Sequence, residues 1–140
     1  MAAPPSPSHR FVDHTSEIGL QVQAASFGEL LAEAARGLAR LMLREAPAEA
    51  EGETRDFEVA AHDRESLLVD WLNEILYVAE TGLWIPLEVE VLEASDTSIR
   101  ARMRGVTVEV SPSMVKAATF HGLEVVETAE GFSAEVILDV

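Results

Sequence analysis

The chain has 140 residues, 48% of them hydrophobic, with 25 acidic side chains against 10 basic ones, a formal net charge of -15 and no cysteine. That length suits one compact domain with its own core, while the missing cysteines exclude disulfides, thiolate zinc sites and thiol nucleophiles. The negative balance opposes binding of a phosphate backbone over a wide face and favours divalent cations and basic proteins as partners.

The first ten residues, MAAPPSPSHR, are small, proline-rich and aperiodic, and read as a flexible tail ahead of a single domain over residues 11–140. Next comes FVDHTSEIGL, where Asp13, His14, Thr15, Ser16 and Glu17 crowd ahead of Ile18, Leu20, Val22 and Ala24, apolar at every second position. That period predicts a half-buried strand starting directly after the polar cluster. Ser26 and Glu29 have capping-box spacing, and Phe27, Leu30, Leu31, Ala34, Leu38, Leu41 and Met42 share one helical face, so a helix should run to just before Pro47. APAEAEGETR reads as an acidic loop, and Phe57, Val59 and Ala61 as a second strand. Asp63 can cap a second helix carrying Leu67, Leu68, Trp71, Leu72, Ile75, Leu76 and Ala79, with Gly82 closing it. From Ile85 onward IPLEVEVLE, SIRARMRG, VTVEV, VKAATF, LEVVET and FSAEVILDV read as consecutive strands with turn signals between most of them. Two early amphipathic helices and a strand-rich second half predict an α+β domain, helices packed on a mostly antiparallel sheet. No apolar run is long enough to span a bilayer and no secretory leader opens the chain, so a soluble cytoplasmic protein is expected.

Two readings of the polar cluster stand side by side on the local sequence. In one, Asp13 and Thr15 satisfy turn amides while Glu17 is solvated. In the other, the cluster holds a hard cation or works as general acid and base, and a cation needs more oxygens than one strand edge supplies. A second source lies at the far end, where Phe132, Ala134, Val136 and Leu138 alternate with Ser133, Glu135, Ile137 and Asp139 up to Val140. A terminus inside the fold would set the Asp139 carboxylate beside the α-carboxylate of Val140, a charge density that needs an offsetting cation or donor. If the first and last strands are neighbours, Glu17, Asp139 and Val140 make an all-oxygen site suited to calcium or magnesium.

The remaining polar residues are less specific. His9, His14, His62 and His121 show no metal-ligand spacing, which argues against zinc, and His121 reads as structural. Arg100, Arg102 and Arg104 alternate along one strand and could meet RNA phosphates, but Glu88 and Glu90 recur at the same period on the strand before, so cross-strand pairing is the simpler account. Lys116 is the only lysine among the ten basic residues; it is there by chance or because a site needs a compact ammonium. Phosphate loops, dinucleotide fingerprints and nucleophile elbows are absent.

Taken in order, DHTSEIGL, ESLLVDWLNEILYVAE, VKAATFHGLEV and VILDV resemble the archease family, over a span from about Phe11 to Val140. The resemblance implies an α+β fold and a non-enzymatic role as accessory protein of the RtcB-type RNA ligase of tRNA splicing and RNA repair, helping that ligase acquire and turn over its covalent guanylate. It also implies a divalent cation, usually calcium, with magnesium or manganese as alternatives, held by an acid of the first motif and the C-terminal residues: here Glu17, Asp139 and Val140. The family's first motif reads His-Thr-Ala-Asp, so Glu17 departs from it by one methylene, which shifts the ligating oxygens. Lys116 matches the family's Val-Lys-Ala strand and, with Asp13 and His14, is expected to contact the ligase or a nucleotide phosphate. GVTVEVSPSM stands where many relatives carry a longer polar, histidine-containing loop, so no role of that loop carries over. A charge of -15 suits transient docking on a basic ligase channel rather than stable binding of nucleic acid. A general chaperone is the second reading and would need an exposed apolar patch; a metal-dependent phosphoesterase would use the same carboxylates to activate water.

Overall fold

The structure is a computed structural model that describes residues 6–14 and 16–140. Strands β1 (Ser8–His14) and β2 (Glu17–Ala24) form a hairpin; α1 (Phe27–Glu45) then leads to β3 (Ala48–Ala60), and α2 (Arg64–Gly82) to β4 (Trp84–Ala94) and β5 (Ser98–Val108). Three further strands follow: β6 (Ala117–Thr119), β7 (Val126–Thr128) and β8 (Gly131–Asp139). Every pairing is antiparallel. One sheet has the order β1-β2-β8-β6, with β7 on the other half of β8, and the second has the order β3-β5-β4. This is the α+β architecture that the pattern predicts. Neither helix is long and apolar enough to cross a membrane.

Local chemistry starts both helices where expected. The Ser26 hydroxyl accepts from the Glu29 amide at 3.2 Å, and the Asp63 carboxylate accepts from the Ser66 amide at 2.7 Å. α1 packs on β2, β4 and α2 at once. It therefore buries Ala32, Ala35 and Ala39 in addition to its leucine stripe. At Gly37 a Cβ would come within 2.9 Å of Leu20 and 3.1 Å of the His9 ring, so the glycine sets how closely α1 lies on the first hairpin. Between the helices the Trp71 indole N–H donates to the Leu31 carbonyl at 2.8 Å. Each fully buried Leu, Ile or Trp of this core contributes roughly 2 kcal/mol of transfer free energy.

The structure departs from the sequence expectation in several places, LEVVET among them, of which only Val126–Thr128 is strand. Residues 8–10 of the expected tail are strand, since Ser8, His9 and Arg10 pair with Gln23, Val22 and Gln21. Most of the expected acidic loop belongs to β3, whose exposed acids flank β5 and whose ladder absorbs two register shifts around Gly52. SIRARMR and GVTV are one strand through Gly105. The left-handed residue ending α2 is Leu83 (φ 51, ψ 44) rather than Gly82. Of VKAATF only three residues are strand. There the Asn73 side chain takes up both main-chain groups of Ala118, donating to its carbonyl at 3.2 Å and accepting from its amide at 2.8 Å, which closes the sheet edge.

Candidate functional site

The strand register collects most of the singled-out residues at one end of the five-stranded sheet. His14 is the Cα partner of Glu17 across the first hairpin, and Glu17 is the partner of Asp139 across β2 and β8. Ser16, in the connection, has φ 60, and its carbonyl accepts from the Val140 amide at 3.4 Å. That bond makes Glu17–Asp139 a non-hydrogen-bonded pair, the kind in which opposed side chains stand closest. On the other flank of β8, Ala117 is opposite Asp139, and the Lys116 amide donates to the Asp139 carbonyl at 2.8 Å. The last turn of α1 reaches the same end. Glu45 accepts from the Met114 amide at 2.7 Å and from the Ser113 hydroxyl at 3.4 Å, pinning the segment that leads to Lys116.

Strand alternation sorts these residues by face. Ile18, Leu20 and Val22 point to the core, so Glu17 and its partner Asp139 share the open face of the sheet. Glu17 is half-buried and Asp139 exposed, two like charges directly opposed, an arrangement that costs stability unless something positive sits between them. Oxygen-only donors suit a hard cation. Among the described residues no three His, Cys, Asp or Glu side chains gather to hold a metal. A cation here would therefore take the two carboxylates, main-chain oxygens of the half-buried Val140, and water. Asp13 does not join them: it is the partner of Ile18, on the helix side of the sheet, and is exposed. The His14 side chain and Thr15 lie outside the described residues. Lys116 is exposed and makes no ion pair among the described residues.

The arginine stripe is laced to neighbouring strands on both sides, and of the two acids expected as partners only Glu88 forms an ion pair among the described residues. Arg100 meets Glu93 at 3.2 Å, Arg102 meets Asp56 at 2.9 Å, and Arg104 lies 3.5 Å from Glu88 and 3.8 Å from Glu51. The hydrogen bond to Asp56 raises Arg102 above the ordinary guanidinium value. His121 sits exposed in the turn after β6, its amide donating to the Thr119 hydroxyl at 3.4 Å. Sequence reasoning gave Ser16 no role of its own within the polar cluster and missed Glu45. Serine is a common turn residue, which was a signal for the first; Glu45 reaches a partner 69 positions away and had none.

Comparison with known proteins adds the following. The model of the Archease protein family (MTH1598/TM1083) matches residues 9–140. A protein archease of Archaeoglobus fulgidus is 31% identical over 94% of this chain and 98% of that protein, and one of Methanosarcina barkeri is 30% identical over 94% and 95%. The solution structure of Methanobacterium thermoautotrophicum protein 1598 superposes with a TM-score of 0.68 at 29% identity, covering 94% of this chain and 98% of that one. A crystal structure from Thermotoga maritima, described as an archease and possible chaperone, shares the fold with a TM-score of 0.64 at 20% identity, over 92% and 94%.

Proposed function

The chain belongs to the archease family, and on that premise we propose that it is an accessory protein of an RtcB-type RNA ligase, promoting the ligase's guanylylation and repeated turnover in tRNA splicing and RNA repair. The ligase supplies the bond-making chemistry. The observation that supports this reading is the Glu17–Asp139 register pair, two opposed carboxylates beside Val140 at one end of an open sheet face. A divalent cation, calcium first, would be held by Glu17, Asp139 and main-chain oxygens of Val140 and would offset their repulsion. Glu17 in place of the usual aspartate lengthens one ligand arm, so the fit favours a large cation with flexible coordination over magnesium. Lys116, whose main-chain amide bonds the Asp139 carbonyl, would use its compact ammonium to meet a phosphate or a carboxylate of the partner. The net charge of -15 steers the protein toward a basic surface.

The test is multiple-turnover RNA ligation by the cognate ligase with GTP and its metal, with and without this protein and with Asp139→Ala. Stimulation by the wild type and not by the variant is the expected result. Stimulation by neither, with suppression of aggregation of unrelated unfolded proteins, would replace this reading with a chaperone. Equal stimulation by both would remove the carboxylate pair from the mechanism.

A further inference from the structure

In a chain this acidic, an arginine without a carboxylate partner is an exception. Arg36, Arg55, Arg64, Arg100, Arg102 and Arg104 each pair with an acid. Three do not: Arg10 donates to the Gln21 side chain at 2.7 Å, whereas Arg40 and Arg44, exposed and one turn apart near the end of α1, have no ion pair or hydrogen bond among the described residues. Glu33, Gly37, Arg40 and Arg44 follow one helical stripe, and the stripe crosses β1. At its upper end Glu33 holds the His9 ring through a 2.7 Å contact to Nδ1; at its lower end the Arg44 guanidinium lies over Phe11, 4.7 Å from the ring centre. Phe11 packs edge-on against His9, with 5.6 Å between centroids. Beside helix and strand lies a shallow, solvent-open depression of about 380 Å³ lined by His9, Phe11, Arg40, Leu43 and Arg44, with no carboxylate in its wall. A cation in the last turn complements the helix dipole, which accounts for the presence of Arg44. It accounts neither for the aromatic seat nor for the second arginine beside the same depression.

We infer that Arg40, Arg44 and Phe11 form a binding site for the phosphate group of a small, nucleotide-sized ligand. A guanidinium fork matches two phosphate oxygens, and a pair of forks one turn apart can share one phosphate. Phe11 already fixes the plane of Arg44, so less rotamer freedom is lost on binding. The surplus negative charge does not forbid this, because at physiological ionic strength charges beyond about 8 Å are largely screened. It does select against an extended strand, whose further phosphates would have to cross acidic surface. The inference concerns the isolated protein and does not rest on the ligase reading.

The experiment is an amide-resolved NMR titration of the purified full chain with inorganic phosphate, with adenosine 5′-monophosphate and with a short single-stranded oligoribonucleotide. A chelator is present throughout, so that no cation at Glu17 and Asp139 can bridge to the phosphate. Phosphate and the mononucleotide should shift the amides of Phe11 and the last two turns of α1, the mononucleotide at lower concentration. Arg40→Gln and Arg44→Gln should each weaken binding by about tenfold, Arg44→Lys by less, and Arg100→Gln, which removes an equal charge from the other sheet, not at all. An unchanged melting temperature shows that each variant folds. No shift at millimolar phosphate or mononucleotide overturns the inference. Equal weakening by Arg100→Gln reduces it to net charge, binding of a glutamate-rich peptide as tight as the mononucleotide refutes the phosphate class, and much tighter binding of the oligonucleotide replaces the small ligand with a strand.

Discussion

Glu17 and Asp139 face each other where opposed side chains are closest, and that repulsion gives their pairing a measurable sign. In chelator, Asp139→Asn should melt no lower than the wild type, because it removes one of two like charges. Calcium should raise the melting temperature of the wild type in proportion to its binding to the folded state and leave that of the variant unmoved. An equal rise in both would mean that the cation binds elsewhere. The two acids were legible in the sequence because period-2 alternation fixes the face of each; that their strands are neighbours was not, since alternation does not encode which edge a strand joins. Asp13 was read with them because DHTSE looked like a loop, in which adjacent side chains can converge. β1 instead extends through His14, and alternation turns Asp13 to the helix side. At the other helix start, the Ser66 amide, and then its hydroxyl, hold the Asp63 carboxyl below its ordinary value of 3.8. A depressed folded value means stability present above the unfolded value and lost as the pH falls through the folded one. Wild type should therefore lose stability on acidification below about pH 4 that Asp63→Asn, still a good cap but without a titration, retains. Parallel acid limbs in chemical unfolding would refute the cap's role.

Gly105 divides what the sequence suggested were two strands, yet β5 runs through it unbroken. Its α-carbon lies against the Trp84 ring, whose indole N–H donates to the Glu53 carbonyl at 2.8 Å, and a Cβ would overlap that ring and the Ile85 carbonyl. Gly105→Ala should thus cost about 3 kcal/mol by overpacking despite a better strand propensity. A loss under about 0.5 kcal/mol in denaturant unfolding, the range of an ordinary surface change, would show that the ring moves aside freely. Elements of this kind decided what the sequence could show. The helices were legible because caps and a 3.6-residue apolar period agree. β3 was hidden because its exposed residues include Glu49, Glu51 and Glu53, and a run of acids looks like a loop until its neighbours are known: Glu51 meets Arg104 of β5 and Glu53 bonds Arg55. Residues 8–10 were hidden by the prolines before them, although Phe11 and the His9 ring hold that strand under α1. β6 is too short to show a period; the Asn73 amide, reaching from α2, fixes its edge.

Among the described residues, most cations serve internal ties and most acids make no ion pair. Arg64 shows the first use: it bonds Asp96 at 2.9 Å between β4 and β5, reaches Glu127 of β7 at 3.1 Å, and lies over the Phe132 ring at 4.9 Å, joining the two sheets with one side chain. The bond to Asp96 raises its guanidinium above the ordinary value, so the guanidinium stays charged wherever its carboxylate partners are ionised. Exposed ion pairs of this sort add little each, about 0–1 kcal/mol, and added salt weakens them. The same salt screens the mutual repulsion of the unpaired acids, which outnumber the pairs and oppose the compact state. The repulsion should dominate, so the melting temperature should rise between low and physiological ionic strength. Under the proposed ligase reading, docking on a basic partner reads the same surplus with the opposite sign: its association rate should fall steeply over that interval while its dissociation rate changes little. One titration with sodium chloride, followed by melting and by stopped-flow association with the ligase, separates the two. A melting temperature that fell would mean that ties such as Arg64 outweigh the repulsion. An association rate indifferent to salt would mean that the acidic surface does not guide the proposed docking.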